Sequence, residues 1–240
     1  MAKRKIPEYD EHVIHLWEPL NFSVTSGYDY LRRGKFKSAF YRFLRGVIRV
    51  VFTPICRIMF GFRIEGKENL EKIKNTGAVS VMNHINFIDC VLVALAMPKR
   101  RIYFVTLESN FRIPLACSII RALGAVPLSG NSKTLRELMD AMDSALKDGN
   151  VVHMYPEGVL FPYCNGLRKF KTGAFHMAVR SGKPVLPMVL IQREPTGIRK
   201  LFKKKPCLTL RMLPPVESYG KKQTALMEEC QTAMNEALTH

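Results

Sequence analysis

Gly77-Ala78-Val79-Ser80-Val81-Met82-Asn83-His84-Ile85-Asn86-Phe87-Ile88-Asp89 is the stretch on which the reading of this chain turns. Its first half is a short apolar, valine-containing run opened by a glycine, which predicts a buried strand. Its second half puts an imidazole just past that strand and a carboxylate five positions later. Residues five apart on one α-helix point to different faces, because each residue turns the helix by about 100°. His84 and Asp89 meet more easily if His84 lies in a turn and Asp89 in the helix that follows. Asn86 is a suitable N-cap, which would place Asp89 at the third helical position, reaching back to the turn. A carboxylate bonded to one ring nitrogen fixes the tautomer and stabilises the imidazolium, and the other nitrogen can then take a proton. The pair reads as a general base with its orienting acid.

Taken alone, a histidine and an aspartate at this spacing are more often structural than catalytic. A second motif changes the balance. Tyr155-Pro156-Glu157-Gly158 closes another apolar run, Val151-Val152-His153-Met154. Two strand-to-loop junctions carrying catalysis-capable side chains suit an open α/β sheet, whose site lies beyond the carboxyl ends of its strands.

Outward from these junctions, strand and helix patterns alternate. Strands are predicted at 62–66, 77–83, 101–107, 125–129, 150–155, 184–191 and 206–213, and helices at 87–97, 113–122, 132–148, 172–181 and 221–238. The clearest helix is 132–148, with Leu135, Leu138, Met139, Met142 and Leu146 on one face and Gly149 as its stop. The last helix repeats the pattern with Leu226, Met227, Cys230, Met234 and Leu238, and its methionines read as core. The fold class is α/β: a central, largely parallel sheet flanked by helices. Gly182-Lys183-Pro184 and Pro214-Pro215 are turns, and residues 193–205 form a basic loop between strands.

The 240 residues suit one domain with an appendage, divided at 1–61 and 62–240. With 47% hydrophobic residues the chain builds a sizeable core and is not disordered. The 37 lysines and arginines against 20 aspartates and glutamates leave a net charge of +17, which points to a polyanionic partner, either nucleic acid or an anionic membrane surface. Residues 38–62 choose between them. Arg42, Arg45 and Arg49 share one helical face, the rest of the helix is aliphatic and aromatic, and Pro54 is expected to end or kink it before a second apolar piece, 54–60. A spanning helix would bury those arginines at about 2.5–3.5 kcal/mol each. The reading is therefore an amphipathic two-helix segment lying in the membrane interface, with arginine stems snorkelling to the headgroups. Nucleic acid would call for polar residues and exposed aromatics between the charges.

The six cysteines, Cys56, Cys90, Cys117, Cys164, Cys207 and Cys230, form no CxxC pair and read as reduced, mostly buried hydrophobes of a cytosolic protein. The N-terminus lacks an apolar signal core. His12 and His15, ahead of Trp17, are read as surface residues, and His153 and His176 as structural. A zinc site built on His84, Asp89 and His153 lacks a further ligand at diagnostic spacing. No glycine-rich phosphate loop is present.

The ordered motifs resemble those of the glycerophospholipid acyltransferases. His84 and Asp89 match that family's HxxxxD block, and Tyr155-Pro156-Glu157-Gly158 matches its (F/Y)PEG block. Leu123-Gly124-Ala125-Val126-Pro127-Leu128 resembles the strand block between them, and Lys183-Pro184-Val185-Leu186-Pro187-Met188 the final proline-containing strand. Together they cover about residues 62–191. The resemblance implies an O-acyltransferase that moves a fatty acyl group from an acyl thioester, acyl-CoA or acyl-carrier protein, to a lysophospholipid, foremost 1-acylglycerol-3-phosphate. It implies no metal or prosthetic cofactor, no nucleic acid, and a place on the cytoplasmic face of the cell membrane. It assigns catalysis to His84 and Asp89, and the acceptor site to Glu157 and Gly158. The chain departs from the family where arginines usually meet the acceptor phosphate: the aligned positions run Leu128-Ser129-Gly130 and Val159-Leu160. Arg168 and Lys171 are the nearest replacements, though a lysine supplies a point charge where an arginine supplies a planar fork. The alternatives are another lysolipid or an amino-acid lipid as acceptor, or a non-enzymatic basic protein that binds membrane or nucleic acid.

Overall fold

Apolar side chains alternate along the central strands, and the alternation builds two separate cores. Ala78 and Met82 face one, Val79 and Val81 the other. The computed structural model describes residues 21–113, 116–197, 199–202 and 205–239. His12, His15 and Trp17 lie outside them.

The chain runs α1 (Lys35–Met59), β1 (Arg63–Glu65), α2 (Asn69–Lys72), β2 (Ala78–Met82), α3 (Asp89–Ala96) and β3 (Ile102–Leu107), followed by a 3-10 turn, Glu108–Arg112. It continues through α4 (Ala116–Leu123), β4 (Ala125–Leu128), α5 (Ser132–Lys147), β5 (Val151–Met154) and α6 (Gly173–Ser181). It closes with β6 (Val185–Arg193), α7 (Arg199–Phe202), β7 (Cys207–Met212) and α8 (Gln223–Thr239). Seven strands form one sheet in the order β1-β7-β6-β2-β5-β3-β4. Every neighbouring pair is parallel except β6 and β7.

This order puts β2 and β5 side by side at the centre, with Ser80 opposite His153 in register. After β2 the chain leaves through α3 towards β3, whereas after β5 it crosses through α6 to β6 on the other side of β2. The helices accordingly cover opposite faces: α3 packs in the first core, and α5, α6 and α8 in the second. The loops that follow β2 and β5 meet at the carboxyl edge, where a site is expected. Asn83 fixes the end of β2 there. Its side chain, 1% exposed, donates to Leu190 O at 3.1 Å and accepts from Leu190 N at 2.7 Å, joining β2 to β6.

Three expectations are corrected. Pro54 does not end a helix, and the two predicted N-terminal pieces are one helix, Lys35–Met59. Ile48, Phe52 and Cys56 fall on one inward face that spans the proline, and their burial in the first core outweighs the lost backbone bond. Next, Arg45 does not sit with the exposed face of α1. Arg45 is half-buried, and Arg49, though exposed, donates to Pro98 O at 3.4 Å, while Phe36, Phe40, Phe43, Val47 and Val50 point outward. Burial, with Arg101 and Arg42 nearby, lowers Arg45 from the usual guanidinium value. Lastly, Leu135 is 40% exposed, because the inward stripe of α5 runs through Thr134, Leu138, Met142, Ala145 and Leu146. In α8, Leu226, Cys230 and Met234 are fully buried, as its pattern predicts.

Candidate active site

His84 and Asp89 meet in the turn between β2 and α3. His84 Nδ1 lies 2.8 Å from Asp89 Oδ2. The same oxygen accepts from Ile85 N at 2.9 Å and from Asn86 N at 3.0 Å. Two backbone donors on that oxygen make it an acceptor, so Nδ1 carries the hydrogen and Nε2 keeps its lone pair. The Asp89 side chain is fully buried and the His84 side chain 22% exposed, so the imidazole is the part of the pair that a substrate can reach. Burial pushes the Asp89 carboxyl above the ordinary carboxylate range, and donation from His84, Asn86 and Ile85 pulls against it. The start of α3 adds a favourable dipole.

The helix begins later than its sequence suggests. Asp89 is its first residue, not its third, and Ile88 precedes it. Asn86 caps a tighter turn instead: its Oδ1 accepts from Ile88 N at 3.3 Å and its carbonyl accepts from Asp89 N at 3.1 Å. That extra turn folds Asp89 back under His84.

Glu157 ties the second motif to the first. It is 3% exposed, and its Oε2 accepts from His84 N at 3.2 Å. Arg168 closes on the same carboxylate, with its backbone N 3.1 Å from Oε1 and its Nε and NH2 3.3 and 3.1 Å from Oε2. NH2 also donates to Val159 O. Arg168 is thus held inward, 14% exposed in its side chain. The intervening loop lies along the catalytic turn, Phe161 N donating to His84 O and Tyr163 N to Ile85 O, both at 3.0 Å. Gly158 has φ +80°, and a Cβ there would stand 2.8 Å from Lys171 Nζ, so a side chain at 158 would displace the lysine. Lys171 N donates to Pro156 O at 2.7 Å. The fold therefore brings His84, Asp89, Glu157, Gly158, Arg168 and Lys171 into one neighbourhood.

Two further residues complete it. The Tyr155 ring stacks on the His84 ring, centroids 3.9 Å apart and planes 11° apart. His153 meets Tyr155 edge-on at 4.6 Å and places Nδ1 2.9 Å from Ser80 Oγ. Burial lowers His153 to about 3 and raises Tyr155 well above its usual value, so both rings are neutral near pH 7. The period-two spacing of 153 and 155, which puts both on one face, was the available signal. His176, by contrast, lies at the surface within 3.2 Å of Gln223 Oε1. Among the described residues no three His, Cys, Asp or Glu side chains converge as metal ligands. Of the cysteines, Cys90 is half-buried and the other five are buried, none of them paired.

A buried carboxylate orienting a reachable imidazole suits proton removal from a hydroxyl. The comparisons agree with that chemistry. A family model described as Acyltransferase matches residues 61–191. The chain is 25% identical over 186 residues to the 1-acyl-sn-glycerol-3-phosphate acyltransferase of Escherichia coli (strain K12), covering 75% of this chain and 74% of that one. It is 28% identical over 183 residues to the chloroplastic 1-acyl-sn-glycerol-3-phosphate acyltransferase of Arabidopsis thaliana, of which it spans about half, 49%. The crystal structure of the 1-acyl-sn-glycerophosphate acyltransferase from Thermotoga maritima has the same fold. It gives a TM-score of 0.60 at 22% identity over 88% of this chain and 86% of that one.

Proposed function

We propose that this chain, which belongs to the acyltransferase family, moves a fatty acyl group from an acyl thioester to the free hydroxyl of a lysophospholipid, foremost 1-acylglycerol-3-phosphate. The observation that carries the reading is the 2.8 Å contact of His84 Nδ1 with the fully buried Asp89 carboxylate. His84 Nε2 takes the hydroxyl proton as the acceptor oxygen attacks the thioester carbonyl. The tetrahedral intermediate expels a thiolate, and the imidazolium returns the proton to it. No protein nucleophile is required. The donor is an acyl-CoA or an acyl-carrier protein.

The acceptor phosphate needs compensating charge, because a desolvated anion without donors is very costly. Gly130 and Leu160 supply none. Arg168 already shares its charge with Glu157. Lys171, beside Gly158, and Arg168 are the cations assigned to the headgroup. The same ion pair favours a second reading, a lysolipid acceptor other than the phosphate monoester.

The acceptor is a lipid, and α1 is the element that meets it. Phe36, Phe40, Phe43, Val47, Val50 and Ile58 repeat at helical spacing and are 43–91% exposed. Among the described residues no helix is long and apolar enough to cross a membrane. We assign α1 to the interface of an anionic, cytoplasmic leaflet, apolar stripe inward. The tail and α1, residues 1–61, form the membrane-associating part, and 62–240 the acyltransferase domain.

The test is an acceptor panel assayed in detergent with both donor types, on the parent and on Lys171→Ala. The expected result is a KM for 1-acylglycerol-3-phosphate raised about 10–100-fold in the variant, from loss of a charge-assisted bond, with the donor KM unchanged. Equal effects on both substrates, or a parent that prefers a neutral acceptor, would refute the assignment.

A further inference from the structure

The imidazole of His84 rests on an aromatic floor whose hydroxyl is unused. Tyr155 stacks on it at 3.9 Å and 11°, and the Tyr155 OH is buried with no hydrogen-bond partner among the described residues. His84 meets the face of the ring, and the hydroxyl makes no hydrogen bond to it. The ring is itself held. His153 abuts it edge-on at 84°, and His153 is fixed by Ser80 Oγ and by Phe104 at 5.3 Å. The stack rises from two paired positions on the central strands, Ser80 and His153.

We propose that Tyr155 is a positioning residue for His84. Its face holds the ring in the plane that keeps Nδ1 on Asp89, and its π cloud favours the imidazolium formed when Nε2 takes the acceptor proton. The inference rests on His84 being the general base.

The surroundings fit that role. Asp89 faces His84 through Nδ1, and Glu157 accepts from its backbone N–H while paired with Arg168. Cys90, next to Asp89, is raised by burial to about 12 and stays a neutral thiol. His153, lowered by burial, adds no competing positive charge behind the ring. When His84 gains its proton, the face beneath it is a neutral, electron-rich ring.

The experiment uses the full chain and compares Tyr155→Leu, Tyr155→Phe and Tyr155→Met, with His84→Ala as control. Acyl-CoA and 1-acylglycerol-3-phosphate are the substrates. The first readout is the low-field NMR resonance of the His84 Nδ1–H bonded to Asp89, identified by its loss in His84→Ala. It should persist in Tyr155→Phe and vanish in Tyr155→Leu and Tyr155→Met. The second readout is kinetic. Tyr155→Leu should lower kcat about tenfold, with both KM values within about twofold, and move the acid limb of the pH–rate profile to lower pH. Tyr155→Phe should return kcat to within about threefold of the parent. Should Tyr155→Leu not fold, Tyr155→Met, whose flexible unbranched chain adapts to the space without a π face, decides the same question. A leucine or methionine variant that keeps the resonance and the parental kcat would overturn the proposal. So would leucine and phenylalanine variants equally impaired with an unmoved pH profile. Parental activity in His84→Ala would instead sink the general-base reading itself.

Discussion

Three N–H groups converge on Asp89 Oδ2, and this crowding is what gives His84 its direction. The pairing of His84 with an aspartate that reaches back from the next helix is legible in sequence, but the exact form of the fold-back is not. It depends on an extra turn at Asn86 that delays the helix to Asp89. The Glu157–Arg168 pair was legible only as two charged residues eleven apart in an irregular loop, with no periodicity to pair them. His153 makes the residue-scale prediction. Burial takes it from 6.5 to about 3. Between those values the unfolded chain binds a proton that the folded chain refuses. Stability is therefore complete above about pH 6.5 and falls as pH drops towards 3, by up to about 1.4 kcal/mol per unit. Asp89, raised by burial, acts in the opposite sense in its own acidic window. Urea melts from pH 7 to 5 should show a loss in the parent and a flatter curve in His153→Gln, which keeps a partner for Ser80 without titrating. Parallel curves would show that His153 does not carry the acid sensitivity.

At the scale of elements, α1 separates what patterning reveals from what it hides. Its amphipathic character is plain in sequence, but which face turns outward is set by contacts with α3 and α4. Arginine stems are long enough to pack as apolar chains against a domain, so Arg45 turns inward, Arg49 reaches Pro98 O while staying exposed, and the phenylalanine stripe points outward. The membrane prediction therefore falls on the stripe. Replacing Phe40 and Val50 together by glutamate should sharply reduce co-sedimentation with anionic vesicles, while the variant keeps its melting temperature, because both side chains are exposed. Sedimentation at the parental level would remove α1 from the membrane contact. The strands were easier. Valine runs bounded by glycine or proline read as buried strands, and β2, β5 and β6 appear where those runs lie. Their order across the sheet is a tertiary fact that no run encodes, as is the antiparallel return of β7.

For the whole molecule, the sheet order explains why two distant motifs make one site. β2 and β5, 73 residues apart at the Ser80–His153 contact, lie side by side, so their carboxyl ends deliver the base, its acid, the tyrosine and Glu157 to one edge. Family membership and this intact constellation identify an O-acyltransferase rather than a non-enzymatic basic protein. The net charge of +17 agrees with the anionic lipid surface proposed for it. The most direct test of the account is acyl transfer from acyl-CoA to 1-acylglycerol-3-phosphate by the purified parent and by His84→Ala, at equal concentration and with matched thermal melts. The parent should turn over, and the variant should lose at least about a hundredfold, the scale of general-base catalysis, with no loss of stability. A His84→Ala protein that turns over at the parental rate would contradict it.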